Sequence, residues 1–282
     1  MTIQIKRSDL EKLSSAELAA LVNKTRELEK AQKSRTLNDY LETAHEDQID
    51  FHKATQRIRY FIGGNRSGKT TGGAVEMLWR ALGRHPYRKD LKLPLKCAVV
   101  IQDFENHGKN ILEPKLDQWT PSGALARTPD RNQTGAIRKI HYTSGSTLDV
   151  LSHDQELKVF EGADYDYIWF DEPPPEAIFK AMWRGLTDRG GDATITATPL
   201  ASKFLANEIK KAEAGDDPLR WFRYVDTHKN AKNIGEGDVE LGKKRIEEFI
   251  SIFDDPGERE ARLSGKSIVL QGLIFKEWKP RH

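Results

Sequence analysis

The stretch GGNRSGKT, residues 63–70, constrains the fold more than any other part of the sequence. It matches the pattern G-x-x-x-x-G-K-[ST], in which backbone N–H groups surround a phosphate, the lysine reaches the β and γ oxygens, and the hydroxyl binds Mg²⁺. A β-prone run (IRYFI, residues 58–62) precedes it, and residues 71–82 have the apolar spacing of a helix. A strand, a glycine-rich turn and a helix N-terminus together predict a phosphate-binding loop.

The stretch YIWFDEPPP, residues 167–175, predicts the second half of a nucleotide-hydrolysing site. Its apolar residues indicate a strand, and the three prolines prevent that strand from continuing. Asp171 and Glu172 therefore lie at the edge of the predicted sheet. Because successive strand residues point to opposite faces, we expect Asp171 to face Mg²⁺ and Glu172 to face the water that attacks the γ-phosphate. The alternative is an acidic strand end that caps the following helix.

The composition is typical of a globular protein with a substantial core. Of 282 residues, 37% are hydrophobic and 31% are charged, and the formal net charge of +2 neither demands nor excludes nucleic acid. Cys97 is the only cysteine, which excludes an intrachain disulfide and fits a reducing compartment; we expect it to be buried in a strand. The sequence has no apolar run of about 18 residues and no apolar signal stretch near Met1, so neither membrane insertion nor export is expected.

From residue 58 onward, β-prone and helical runs alternate, which predicts an α/β fold with a mainly parallel central sheet flanked by helices. The expected strands are 58–62, 97–102, 167–171, 193–198 and 221–225. The expected helices are 71–82, 105–119, 175–186, 203–214 and 239–252. Residues 137–151 predict a hairpin, which we interpret as a small antiparallel insertion near the site. Residues 9 to about 45 predict an amphipathic helical lead-in, with Ser14 and Glu17 at capping-box spacing.

Basic residues gather in two places. The first cluster consists of Arg80, Arg84, His85, Arg88, Lys89, Lys92 and Lys96, and the second of Arg127, Arg131, Arg138 and Lys139. Either cluster could contact nucleic-acid phosphates, although a solvated surface is the commoner role of such clusters. The histidines do not have metal-ligand spacing, so structural roles are expected for them.

Four segments, taken in order, resemble the ATPase domain of the large terminase subunit, the genome-packaging motor of tailed bacteriophages. QIDFHKATQRIRYFIGGNRSGKT (48–70) is similar to the family's adenine-binding glutamine segment and its arginine-containing Walker A loop. VFEGADYDYIWFDEPPP (159–175) resembles its Walker B segment, and TITATPL (194–200) resembles its coupling motif. EREARLSGKSIVLQGLIFKEW (258–278) resembles the passage out of the ATPase domain. The resemblance therefore covers most of the chain.

This resemblance implies a P-loop NTPase fold of the ASCE type that binds ATP and Mg²⁺. It implies a helical region over residues 1–47, the ATPase domain over 48–265, and a linker over 266–282 toward a nuclease domain that we do not expect in this chain, so nuclease activity is not expected either. The implied nucleotide-binding residues are Gln48 near the base and Gly63, Gly64, Asn65, Ser67, Gly68, Lys69, Thr70 and Thr71 around the phosphates. Thr70 and Asp171 would bind the metal, and Glu172, Lys69 and Arg66 would be catalytic. Thr196, Ala197 and Thr198 would couple hydrolysis to DNA movement.

The chain departs from the family pattern in one respect that concerns the site. Relatives are expected to offer an arginine from a neighbouring subunit shortly before Walker B, but no arginine lies between Arg138 and Arg184 here. Arg184 and Arg189 are the candidates for such a trans-acting arginine.

The implied function is ATP-driven translocation of double-stranded DNA into a procapsid, in the host cytoplasm. The implied partners are DNA, the small terminase subunit and the portal protein, with a homo-oligomeric ring during packaging and a monomer conceivable in isolation. One alternative is the first lobe of a truncated two-lobed helicase, which shares several of these motifs. Another is a nucleotide-binding switch, against which Glu172 argues because a passive binder has no use for a hydrolytic carboxylate.

Overall fold

The computed structural model describes residues 14, 18, 37, 39–162, 164–198, 202–215 and 217–266. Within these residues, eight strands form one sheet in the order β3-β4-β5-β2-β6-β7-β1-β8. The strands are β1 (Ile58–Gly63), β2 (Lys96–Ile101), β3 (Asp130–Arg131), β4 (Ile137–His141), β5 (Thr147–Ser152), β6 (Tyr167–Asp171), β7 (Asp192–Ala197) and β8 (Arg220–Val225). Pairing is antiparallel at β3–β4 and β4–β5 and parallel elsewhere, which confirms the mainly parallel sheet.

Helices cover both faces of this sheet. They are α1 (Tyr40–Thr43), α2 (Glu46–Lys53), α3 (Lys69–Ala81), α4 (Glu113–Trp119), α5 (Lys158–Glu161), α6 (Glu176–Arg189), α7 (Lys203–Glu213), α8 (Ala231–Ile234), α9 (Val239–Ile250) and α10 (Pro256–Ser264). A π-helix (Phe104–Leu112) precedes α4, and a 3₁₀ turn (Thr227–Asn230) precedes α8. One apolar core joins α3 and α4 to the sheet, and a second joins α6 and α7 to the opposite face. The result is the three-layer arrangement expected of an α/β fold.

The strand order brings the candidate site together. Strand β7 lies between β1, which leads into the phosphate loop, and β6, which ends at Asp171. This intervening strand is the arrangement of the ASCE type. Thr196 of β7 pairs in register with Phe61 on one side and with Asp171 on the other. The carboxyl ends of the three strands therefore meet at one edge of the sheet, where ligands bind in such folds.

Two predicted elements differ in detail from the structure. The hairpin at residues 137–151 is antiparallel as predicted, and β5 also pairs in parallel with β2, so the hairpin continues the main sheet. Most of the helical lead-in predicted for residues 9–45 lies outside the described residues. In its described end, helix α1 stops at Thr43 because Ala44 and the cap residue His45 are extended, and a new helix starts at Glu46.

A buried carboxylate, Glu76, joins helix α2, strand β1 and helix α3. Its Oε2 accepts hydrogen bonds from His52 Nδ1 at 2.7 Å and from His85 Nε2 at 3.0 Å. Its Oε1 accepts from Arg59 Nη2 and Arg80 Nε, both at 2.8 Å. These five side chains are at most 2% exposed. Burial opposes ionisation, but the cationic partners outweigh it and hold the pKa of Glu76 well below its usual range.

The first basic cluster is therefore largely internal, contrary to both interpretations of it as a surface. Arg80 and His85 bind Glu76, and the guanidinium groups of Arg80 and Arg88 reach Asp192 Oδ2 at 2.9 and 2.8 Å. The carboxylates that pair with this cluster come from α3 itself and from β7, and no local pattern indicates that they would face it. Its exposed members are Arg84, Lys89 and Lys92.

The second basic cluster lies at the hairpin side of the sheet, and acidic side chains accompany it. The ion pairs are Arg127 with Asp130, Arg131 with Glu113, and Lys139 with Asp149. Arg138 lies with its guanidinium carbon 4.5 Å from the ring centre of Phe104. Cys97 is fully buried in β2, as predicted, and burial raises the pKa of its thiol to about 12. Among the described helices, none has both the length and the apolar character needed to cross a membrane.

Candidate nucleotide site

The predicted phosphate loop connects β1 to the N-terminus of α3. Gly68, the N-cap of α3, has a φ of 88°, a left-handed conformation that glycine adopts at little cost. Lys69 is 7% exposed, and its Nζ donates a hydrogen bond to the Gly64 carbonyl at 2.6 Å. Burial lowers the pKa of Lys69, against the opposing charges of Glu172 and Asp171. The loop thus presents a cation and a helix N-terminus to the same space, which favours an anion.

Helix α2 supports the loop from one side. His45 Nε2 lies 3.0 Å from the Ser67 carbonyl, and Gln48 Nε2 donates to the Gly68 carbonyl at 3.0 Å. Gln48 Oε1 also accepts from the His45 backbone N–H, and Gln48 is 2% exposed. Both polar groups of Gln48 are therefore engaged by the protein. Its predicted contact with the base remains a prediction, because that contact would require these bonds to be exchanged.

Helix α10 supports the loop from the other side. The Asn65 backbone N–H donates to the Arg262 carbonyl at 2.7 Å, and Thr227 Oγ1 donates to the Asn65 carbonyl at 2.9 Å. Gly64 packs so closely on α10 that a Cβ there would overlap the carbonyl oxygens of Arg262 and Leu263. The chain about 200 residues downstream thus forms the outer wall of the phosphate loop. Sequence reasoning missed this contact because no local motif indicates it.

Three donors from three elements hold the carboxylate of Asp171. Its Oδ1 accepts from Thr70 Oγ1 at 3.1 Å and from Thr196 Oγ1 at 2.6 Å. Its Oδ2 accepts from His107 Nε2 at 2.8 Å. Burial lowers the pKa of His107, but the hydrogen bond and charge of Asp171 outweigh burial and raise it above its usual value. Thr196 in turn accepts from Trp169 Nε1 at 2.7 Å, which fixes the direction of its hydroxyl.

Glu172 faces the same space for a reason other than strand alternation. Strand β6 ends at Asp171, and Glu172 has a φ of 78°. The expectation that alternation along the strand directs these two carboxylates is therefore wrong in its reason. Glu172 Oε2 accepts from the Thr198 backbone N–H at 3.2 Å, and Thr198 Oγ1 donates to the Gly63 carbonyl at 3.0 Å. A left-handed non-glycine residue costs roughly 1–3 kcal/mol, and such strain concentrates at functional sites.

Burial also changes the electrostatics of Glu172. It raises the pKa of this carboxyl above its usual value; Lys69 opposes the shift and Asp171 adds to it. A carboxylate with a raised pKa is a stronger proton acceptor when ionised. Glu172 therefore has the electrostatic character of a general base.

A cavity of about 740 Å³ opens between these groups. It is lined by Asn65, Arg66, Lys69, Thr70, Gln102, Glu172, Pro173, Thr198, Ser202 and Phe249. Six of these were predicted: Asn65, Arg66, Lys69, Thr70, Glu172 and Thr198. Gly63, Gly64, Ser67, Gly68 and Thr71 form the loop and the start of α3, while Asp171, Thr196 and Ala197 are buried at the strand ends beside it. Gln102, Pro173, Ser202 and Phe249 were missed, because each comes from a connection or from α9 and shares no motif with the loop.

Arg66 occupies the rim of this cavity. It is exposed, has a φ of 62°, and places its guanidinium carbon 5.5 Å from the ring centre of Phe249 on α9. A cation at this distance from an aromatic face is attracted to it. The structure thus brings Arg66 to the cavity, as predicted, and shows its guanidinium resting on an aromatic ring.

The two candidates for a trans-acting arginine lie on α6. Arg184 is exposed on the helix surface. Arg189 ends the helix and pairs with Asp166 at 2.8 Å and with Asp164 at 3.2 Å, beside the amino end of β6 and so at the sheet edge opposite to the cavity. Their role toward a neighbouring subunit remains a prediction.

A second group of potential metal ligands, His52, Glu76 and His85, has the wrong protonation for a cation site. His85 Nδ1 accepts from the backbone N–H groups of Tyr87 and Arg88, so Nε2 carries the proton given to Glu76. Burial lowers the pKa of His52, which keeps it neutral and donating through Nδ1 to Glu76. Both carboxylate oxygens are thus already engaged, and two arginines lie beside them, so this group is structural.

A phosphate loop beside an aspartate–glutamate pair and a hydroxyl-bearing strand end defines the class of P-loop nucleoside-triphosphate hydrolases. Residues 60–276 match the family model described as terminase large subunit, T4likevirus-type, N-terminal, and the chain belongs to this family. The match covers most of the chain and includes the phosphate loop, the carboxylate pair and the coupling segment.

Solved structures share the fold. The ATPase domain of the large terminase of Thermus phage P74-26 has a TM-score of 0.58 and 15% identity, covering 78% of this chain and 92% of that chain. A large terminase from another thermophilic bacteriophage has a TM-score of 0.60 and 12% identity, covering 78% of this chain and 53% of that chain. The chain therefore spans about half the length of this second terminase. No curated protein matches the chain in sequence.

Proposed function

We propose that this chain hydrolyses ATP with Mg²⁺ and acts as the motor domain of a phage large terminase. The observation that carries the proposal is the convergence of Lys69, Thr70, Asp171 and Glu172 on one cavity at the carboxyl edge of β1, β6 and β7. Family membership favours this function over a truncated helicase or a passive nucleotide-binding switch.

The residues around the cavity fit Mg²⁺ and a triphosphate. Thr70 Oγ1 and Asp171 Oδ1 lie 3.1 Å apart and offer the hard oxygen ligands that Mg²⁺ prefers. When bound, the ion neutralises charge that develops on the phosphate oxygens during transfer. The backbone N–H groups from Gly63 to Thr71 would surround the phosphates, and Lys69 would exchange the Gly64 carbonyl for a phosphate oxygen.

Glu172 would orient the attacking water and accept its proton. The Thr198 N–H holds its carboxylate toward the cavity, and burial raises its pKa. Arg66 would leave the ring of Phe249 and stabilise charge on the γ-phosphate. Thr196, Ala197 and Thr198 would transmit hydrolysis, since the hydroxyls of Thr196 and Thr198 bond to Asp171 and to the Gly63 carbonyl at the start of the loop.

The proposal extends to the assembly implied by the family. We expect the chain to reside in the host cytoplasm, to act on double-stranded DNA with the small terminase subunit and the portal protein, and to form a homo-oligomeric ring during packaging. We also keep the division into a helical region over residues 1–47, an ATPase domain over 48–265 and a linker beyond it, although helix α2 crosses the first boundary.

Steady-state ATP hydrolysis tests the proposal. Glu172→Gln should lower kcat by about 100-fold or more, the range for removal of a general base. Glu176→Gln, which changes an exposed carboxylate four residues away on α6, is the matched control and should retain the wild-type rate. Equal rates for wild type and Glu172→Gln would exclude the assigned role. Duplex DNA should raise the wild-type rate, and a rate indifferent to DNA at every protein concentration would count against the motor while leaving the ATPase intact.

A further inference from the structure

The π-helix after β2 carries a histidine into the candidate site. Its first i→i+5 bond runs from the Gly108 N–H to the Asp103 carbonyl at 2.9 Å, and Asp103 Oδ1 caps the Asn106 N–H. This turn holds one residue more than a turn of α-helix would, and His107 lies in it. Segments of π-helix occur mostly at functional sites. Gly108 allows the close approach to β2, because a Cβ there would lie 3.2 Å from Ile101 Cδ1.

His107 contacts one oxygen of the Asp171 carboxylate and leaves the other to different partners. His107 and Asp171 are 4% and 1% exposed, and Nε2 donates to Oδ2 at 2.8 Å. The opposite oxygen, Oδ1, is the one that faces Thr70 Oγ1. Because an ionised carboxylate only accepts, Nε2 must carry the proton, and the bond fixes the rotation of the carboxylate about its last torsion.

We propose that His107 is a positioning residue that turns Oδ1 of Asp171 toward the cation position beside Thr70. The role rests on the proposed function, since it concerns the metal-binding face of that site. Hydrogen-bond partners of this kind orient metal-binding groups, and their loss typically weakens metal affinity or activity about 10–100-fold. Thr196 alone would not replace His107, because Thr196 also binds Oδ1 and so leaves Oδ2 without a donor.

Three variants of the full chain separate orientation from packing. His107→Leu removes the donor and keeps an apolar side chain of similar size. His107→Gln keeps an N–H donor at a similar reach. His153→Leu is the matched control, because His153 is a half-buried neighbour whose Nε2 lacks a hydrogen-bond partner among the described residues. Thermal unfolding of each variant establishes that it is folded.

Two readouts are measured: the Mg²⁺ concentration that gives half the maximal ATPase rate, and ADP affinity in Mg²⁺ and in EDTA. His107→Leu should raise the half-saturating Mg²⁺ concentration about 10-fold or more and weaken ADP binding in Mg²⁺ only. His107→Gln should stay within about threefold of wild type by the same measure, and His153→Leu should match wild type.

Several results would overturn the role. An unchanged Mg²⁺ requirement in His107→Leu would do so, as would equal weakening of ADP binding in EDTA, an equal loss in His107→Gln, or a wild-type ADP affinity that is independent of Mg²⁺. The proposed function fails separately: if wild type binds ADP with Mg²⁺ but does not hydrolyse ATP, the ADP readout still tests His107. If His107→Leu does not fold, His107→Asn, whose amide is too short to reach Asp171, replaces it.

Discussion

Replacement of the buried carboxylate at Glu76 should destabilise the protein strongly. Glu76→Gln keeps the size of the side chain but removes the charge that Arg59 and Arg80 require, and it turns an N–H group toward one of the donors. Both arginines are at most 2% exposed, so neither can recover its hydration without disrupting the core. Removal of one partner from a buried ion pair typically costs about 3–5 kcal/mol.

This loss is a large fraction of the stability of a protein domain, which is about 5–15 kcal/mol. For domains of 150–250 residues, about 2–4 °C in Tm accompanies each kcal/mol, so a fall of about 6–20 °C is expected. Urea unfolding, followed by tryptophan fluorescence, measures the free energy directly, and the buried Trp79 and Trp169 report on the core around Glu76. The m-value should not change.

The control for this measurement is Glu240→Gln. Glu240 and its partner Lys243 are 80% and 53% exposed, and an exposed pair contributes about 0–1 kcal/mol. A loss below about 1 kcal/mol for Glu76→Gln, with an unchanged m-value, would refute the view that the four donors depend on this charge.

Three further outcomes are expected. Thr196→Val, which removes a donor to Asp171, should lower kcat about tenfold, whereas Thr196→Ser should restore it; equal rates would separate the hydroxyl from catalysis. Arg66→Ala should lower kcat by about 1,000-fold with little change in ADP affinity, and a change in affinity alone would assign Arg66 to binding. Burial lowers the pKa of His52, so below about pH 6.5 the unfolded chain takes up a proton that the folded chain does not, and stability is lost as the pH falls. Between pH 6.5 and 5.5, His52→Gln, which keeps a donor to Glu76, should lose up to about 1.4 kcal/mol less than wild type in urea unfolding; equal losses would contradict a neutral His52.

The sequence predicted those parts of the site that depend on local patterns. The phosphate loop and the strand that ends at Asp171 each carry their own signal, and the parallel sheet brings them together without further information. The direction of Glu172 could not be predicted, because it follows from a left-handed backbone that only the complete site stabilises. His107 escaped for a related reason: the apolar spacing of residues 105–119 predicts a helix but does not distinguish the π form that places this side chain.

Long-range charge pairing was the other source of error. Arg80 and Arg88 looked like surface cations because their own segment offers little acid, but Asp192, about a hundred residues later, pairs with both. Sequence distance hides such partners, and the sheet order brings them together.

The contact between Gly64 and helix α10 has a consequence for the evolution of the loop. In the pattern G-x-x-x-x-G-K-[ST], position 64 is one of the unrestricted letters, yet the carbonyl oxygens of Arg262 and Leu263 leave no room there for a Cβ. Relatives whose final helix packs in this way should keep glycine at this position, and relatives that carry a larger residue there should have moved that helix away. Two positions nearly 200 residues apart would then vary together, although neither belongs to the motif of the other.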